Sequence, residues 1–162
     1  MSSPDDLIAQ DVEQNGWSCI TIHDAEKPFA YTAGLMHTCQ HPELIIFGRL
    51  QDDSGILDLL VTEIRDGNRI DEPQEYDLLE GFPIATRRVH RTQHELYLGF
   101  AMGFLTNIGR MGELEAVQVF VPDRYGVYPF QPNCSLPVYE SQPRLDIGLT
   151  KSVLSAWRRQ WG

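Results

Sequence analysis

The sequence predicts an α+β fold: a single domain in which a mainly antiparallel sheet of about five strands packs against two or three helices. Two strand-like runs, Trp17–His23 and Phe29–Leu35, follow each other across a short polar turn, which favours antiparallel neighbours over a crossover. Two later stretches, near 54–66 and 92–108, carry apolar residues at helical spacing. A chain of 162 residues suits one domain and can bury a core. Strands and helices alternate after residue 50, which would also permit an α/β layout, but the two early strands in succession favour α+β.

The chain opens on a helix start. Ser3 can cap it, Pro4 fits its first turn, and Asp5 and Asp6 favour the positive end of its dipole. Leu7, Ile8 and Val12 recur at helical spacing and Gly16 stops the helix. Trp17–His23 alternates as a strand with two unlike faces. Asp24–Pro28 is a turn, Phe29–Leu35 a second strand, and Leu44–Phe47 a strand buried on both faces and ended by Gly48. Ser54 opens a helix striped by Ile56, Leu57, Leu60, Val61 and Ile64 and closed by Gly67. Asn68–Tyr76 is polar, carries Pro73 and reads as a loop.

Phe82–Val89 reads as a strand. Thr92-x-x-Glu95 is a capping box for a helix carrying Leu96, Phe100, Phe104 and Ile108. Gly99 and Gly103 on a neighbouring face of that helix predict a close packing contact. Ala116–Val121 is a further strand ended by Pro122. Asp123–Gly126 turns the chain, and Val127–Phe130 is expected to return as a hairpin. Gln131–Arg144 reads as a covering segment without regular structure, followed by a terminal helix over Thr150–Trp161. The domain therefore spans 1–162, with a core over about 16–130 and a cover over 131–162.

The formal charge is −10, from 23 acidic and 13 basic residues. That balance argues against nucleic acid and membrane surfaces as partners and would suit a basic protein; it equally serves solubility alone. Three scattered cysteines argue against a disulfide framework and for a reducing, cytoplasmic setting. No apolar run approaches the ~20 residues of a membrane helix. No cofactor fingerprint is present.

Polar chemistry concentrates between Tyr31 and Glu43. His37, Cys39, His41 and Glu43 stand at every second position, a donor set zinc would accept, but one confined to a single local cluster. We therefore assign no metal. Tyr31, Thr32, His41 and Glu43 would converge at one end of the sheet if the two flanking runs pair. His41 would then be an acid–base group oriented by Glu43, with Tyr31 and Thr32 as ligand-binding hydrogen-bonding groups. The same residues equally suit a buried structural network with His41 as its hub. Arg87, Arg88, His90 and Arg91 form the one basic cluster. Arg88 there could bind a carboxylate or phosphate ligand, or the cluster could pair with the surplus acids.

Gly16-Trp17, Tyr31-Thr32-Ala33-Gly34-Leu35, His41-Pro42-Glu43-Leu44 with Phe47-Gly48, and Pro122-Asp123 with Tyr125-Gly126 occur in that order. In this the chain resembles the bacterial domain of unknown function forty-two sixty-two, from about Gly16 to Phe130. The resemblance implies that Tyr31, Thr32, Gly34, His41, Pro42 and Glu43 belong together in the fold; it implies no activity. Phe130 stands where the family pattern usually has tryptophan, and His37 and Cys39 lie outside the pattern. Two functions follow as expectations: a small polar ligand held near Tyr31, Thr32, His41 and Glu43, or a non-catalytic acidic binder of immunity or inhibitor type.

Overall fold

The computed structural model describes residues 3–48 and 50–161, and the side chains of all of these except 50–54. Helix α1 (Pro4–Asn15) starts as its sequence dictates. Ser3 Oγ accepts from the Asp6 amide, the Asp6 carboxylate accepts from the Ser3 amide, and Gly16 closes the helix in the left-handed region at φ 86°. Six strands form one sheet: β1 (Ser18–Ile22), β2 (Phe29–Ala33), β3 (Glu43–Phe47), β4 (Glu75–Leu79), β5 (Phe82–Arg88) and β6 (Ala116–Phe120). Their order is β1-β2-β3-β6-β5-β4. Every pairing is antiparallel except β3 with β6, which run parallel. The domain is thus α+β, with one strand more than the sequence predicts.

Helices cover both faces. On one, α3 (Leu50–Arg65) buries the predicted stripe of Ile56, Leu57, Leu60, Val61 and Ile64 against Ala30, Leu44, Ile46, Val117 and Val119. On the other, α1 and α5 (Gly99–Asn107) pack Ile8, Val12, Ala101, Phe104 and Leu105 against Phe29, Tyr31, Ile45 and Phe47. The central strands β2, β3 and β6 are buried along their whole length, as strands covered on both faces must be. Helix α3 begins before Ser54, so Ser54 lies inside it rather than at its cap.

Several expectations give way to tertiary structure. Glu75–Leu79 is an edge strand, joined to β5 by a tight turn at Glu80-Gly81; its alternating exposure fits a polar strand that one neighbour holds. Val127–Phe130 forms no strand, because β6 already has β3 and β5 on its two edges and offers no place to pair. The helix expected over 92–108 is three pieces: a 3₁₀ turn (Arg91–Gln93), α4 (His94–Tyr97) and α5, broken at Leu98. Its capping box does not close. Thr92 Oγ1 accepts from the Leu149 amide at 2.8 Å, and the Glu95 carboxylate holds Arg158 at 2.5 Å. Gly103 approaches Asp5 of α1, whereas Gly99 faces open space. The covering segment contains α6 (Leu136–Ser141), and the chain ends in α7 (Lys151–Trp161).

Between β2 and β3 the chain makes one turn of helix, α2 (Leu35–Thr38), entered through Gly34 at φ 108°. A Cβ on Gly34 would lie 2.6 Å from Val12 Cγ2. Gly34→Ala therefore meets backbone strain and a buried clash together. We expect a loss of roughly 2–3 kcal/mol, read as a fall of several degrees in melting temperature; a variant that melts with the wild type would show that α1 moves aside freely.

Candidate functional site

Pairing of β2 with β3 brings Thr32 and Glu43 together. The Glu43 side chain is buried, and its carboxylate accepts four hydrogen bonds. Thr32 Oγ1 donates at 2.8 Å, the Gly34 and Leu35 amides at 3.1 Å, and the Met36 amide at 3.3 Å. Thr32 Oγ1 in turn accepts from the Leu44 amide at 2.9 Å. Three of the donors are the unpaired amides that open α2, so Glu43 satisfies groups the short helix cannot. Burial pushes the carboxyl up to about 7, against the pull of these four bonds, Thr32 first.

His41 is 1% exposed and serves a different part of the chain. Its Nε2 accepts from the Ile70 amide at 3.1 Å, which assigns the ring proton to Nδ1, donating to the Pro42 carbonyl at 2.8 Å. Burial, more than any neighbouring charge, lowers its pKa, so the ring is held neutral. Gln40, at φ 50°, makes the turn that delivers His41 to this position. Neither His41 nitrogen pairs with Glu43: the imidazole ties β3 to the segment after α3, while the carboxylate ties it to α2. The Tyr31 hydroxyl accepts from the Phe100 amide at 3.1 Å and so anchors the start of α5.

His37 sits on α2 with its ring edge-on to Phe104, and Cys39 caps the helix's end, so helix geometry separates the donors that a strand would have aligned. Among the described residues no three His, Cys, Asp or Glu side chains group as a metal site. The late Pro-Asp motif acquires a role: Asp123 Oδ1 accepts from the Tyr125 and Val127 amides, and Oδ2 from Ser135, closing the loop after β6. Phe130 stacks on Tyr128, and the Arg87 guanidinium lies 3.8 Å above it. The aromatic contact is made without an indole N–H.

Arg88 stands apart from the buried network, on an open cleft of about 620 Å³. Met36, Arg88, Arg91, His94, Leu114 and Glu115 line it. Arg88 meets Glu115 at 3.5 Å, and both side chains are more than half exposed. The cleft is nevertheless coupled to Glu43. Met36, whose amide Glu43 binds, accepts from the Glu115 amide through its sulfur at 3.1 Å and from Arg110 through its carbonyl at 3.3 Å. Sequence reasoning included Arg91 only within the basic cluster and passed over His94. Nothing in Gln93-His94-Glu95 distinguishes that histidine; its position depends on the break at Leu98 and the turn at Arg91.

These features define a mixed-sheet α+β domain whose buried carboxylate organises a helix start beside an open cleft. The chain belongs to the family described as Domain of unknown function (DUF4262), which matches residues 11–135. The match runs from α1 through the Asp123 loop to Ser135 and leaves α6 and α7 outside it. No curated protein and no solved structure matches the chain. Among the described residues no helix is long and apolar enough to cross a membrane.

Proposed function

We propose that this domain binds a small polar anion, of the carboxylate or phosphate type, in the cleft carrying Arg88. The observation that supports this reading is that two arginines, Arg88 and Arg91, line one cleft of a chain whose net charge is −10, while the two glutamates of that cleft are held by arginines, Glu113 by Arg110 and Glu115 by Arg88. Guanidinium groups recognise oxyanions through charge-assisted, paired hydrogen bonds, and a concave wall strengthens them by excluding water. Glu115 holds Arg88 at an exposed contact, which an incoming anion can displace at little cost.

In this reading Tyr31, Thr32, His41 and Glu43 are the frame rather than the contact surface. Glu43 fixes Met36, one wall of the cleft, and His41 fixes the strand that carries Glu43. The test is calorimetric titration of the protein with acetate, benzoate, sulfate and phosphate. At least one anion should bind saturably, and the Arg88→Ala/Arg91→Ala double variant should bind it about tenfold or more weakly, with an unchanged melt. Absence of saturable binding, or equal binding by the double variant, would refute the reading.

A further inference from the structure

Arg88 and Glu115 stand on neighbouring strands, Arg88 at the end of β5 and Glu115 just before β6. Backbone bonds fix both positions: the Val89 amide donates to the Ala116 carbonyl at 2.9 Å, and the Glu43 amide to the Glu115 carbonyl at 2.9 Å. The side chains are held far less firmly. They meet at 3.5 Å, and 54% of the Arg88 side chain and 59% of the Glu115 side chain are exposed. Both charged ends are therefore within reach of a molecule that enters the cleft they line. The other acid there, Glu113, is held at 3.1 Å by Arg110, which also donates to the Met36 carbonyl at 3.3 Å. Among the described residues Arg91 has no ion-pair partner.

A bare anion that takes Arg88 from Glu115 leaves the glutamate without a partner. The freed carboxylate stays beside the newcomer, because its strand anchors it, and like charges at such range repel. The chain already carries −10, so an added negative charge is opposed at long range as well. A ligand that brings its own cation avoids both costs. Its negative end takes the arginines, its positive end takes Glu115, and the net charge does not change. Each member of the opened ion pair then has a new partner. The cleft is also larger than a bare ion needs. Its volume of about 620 Å³ lies within the roughly 300–1,000 Å³ of pockets that hold organic ligands, and Met36 and Leu114 give it apolar surface.

We infer that the ligand of this cleft is a zwitterion, an α-amino acid with an apolar side chain: its carboxylate lies on Arg88 and Arg91, its ammonium on Glu115, and its side chain along Met36. This rests on the reading of the Arg88 cleft as an anion site and names the class of carboxylate that the site takes. Arg88 and Glu115 already touch, so the two charges of the ligand must stand close together, as they do on a single α-carbon. A long spacer between them would carry one charge past its partner. No covalent bond forms or breaks. Binding exchanges one exposed ion pair, itself worth little, for two. Selectivity against a bare carboxylate comes from the unpaired Glu115 that such a ligand would leave behind.

The experiment is calorimetric titration near neutral pH with leucine and three relatives. Of these, 4-methylpentanoate lacks the amine, 3-methylbutylamine lacks the carboxylate, and 6-aminohexanoate sets the two charges far apart. Leucine should bind wild type about tenfold or more tightly than each of them. Glu115→Gln removes the charge and leaves the backbone bonds in place, so it should melt with wild type. It should bind leucine and 4-methylpentanoate within about twofold of each other. Arg88→Ala should weaken both ligands. Leucine binding to wild type no better than 4-methylpentanoate, or a preference that survives Glu115→Gln, overturns this inference and leaves the anion site standing. Binding of 6-aminohexanoate as tight as that of leucine overturns the assignment to α-amino acids. If 3-methylbutylamine binds as tightly as leucine, or if these ligands and the simple anions all fail to bind, the anion site falls and this inference with it.

Discussion

Glu43→Ala removes the partner of three amides, two of them buried, and one buried hydroxyl at once, and we expect it to cost roughly 4–6 kcal/mol of stability. The donors at Gly34, Leu35 and Met36 open a helix of four residues, too short to hold itself together by its own ladder. Water can enter the vacated space and recover part of the loss, but only where it finds the same donors in range. Domains of this size have total stabilities of about 5–15 kcal/mol, so the variant should be marginal at 37 °C. Glu43→Gln supplies a control. It keeps the shape and one acceptor oxygen but sets an NH₂ against donors, so it should fall between wild type and alanine. Thr32→Val should cost less than either, since it removes one donor and leaves one amide, that of Leu44, unsatisfied. Thermal or urea melts of the four proteins provide the ranking. A Glu43→Ala protein melting within about 2 °C of wild type would show that α2 is held by other contacts.

That prediction depends on a network only partly legible in the sequence. The proximity of Thr32 and Glu43 was readable, because both lie in adjacent strand-like runs and the short connection between them permits an antiparallel pair. The partners of Glu43 were not. Three of its four donors are backbone amides, which carry no residue-type signature, and α2 is a single turn without an apolar period. The α3 stripe was legible because one face of a long helix is buried and nothing competes with it. The segment after β5 departs from its local pattern for the opposite reason. Thr92 and Glu95 have the right spacing for a capping box, but Leu149 and Arg158, more than fifty residues later in the chain, claim both side chains. Long-range partners of this kind overrule a local motif without altering its sequence. The same rearrangement places His94 on the wall of the Arg88 cleft, and no local pattern could have marked it.

His41→Ala is the second large effect. It leaves the Ile70 amide and the Pro42 carbonyl without partners and opens a buried void, a loss of about 3–5 kcal/mol. His41→Gln can return an acceptor to Ile70 and should recover part of it. The pH dependence then separates this histidine from a merely space-filling one. Protonated imidazole would turn Nε2 from acceptor to donor and set it against the Ile70 N–H, and burial already holds the folded pKa below the unfolded value of ~6.5. Below that pH the unfolded chain binds the proton more readily than the folded one. The contribution of His41 is therefore fully present above ~6.5 and is lost as pH falls toward and through the depressed folded value. Glu43 works in the opposite sense. Its folded pKa, raised to about 7, makes its contribution greatest below the unfolded value and weaker as pH rises through 7. The two partly cancel in wild type, so the informative quantity is a difference. The melting-temperature gap between wild type and His41→Gln should narrow from pH 8 to pH 5, because only wild type loses the histidine's contribution. A gap that stays constant across that range would mean that the folded and unfolded chains protonate His41 alike, so that the bond to Ile70 does not hold the ring neutral.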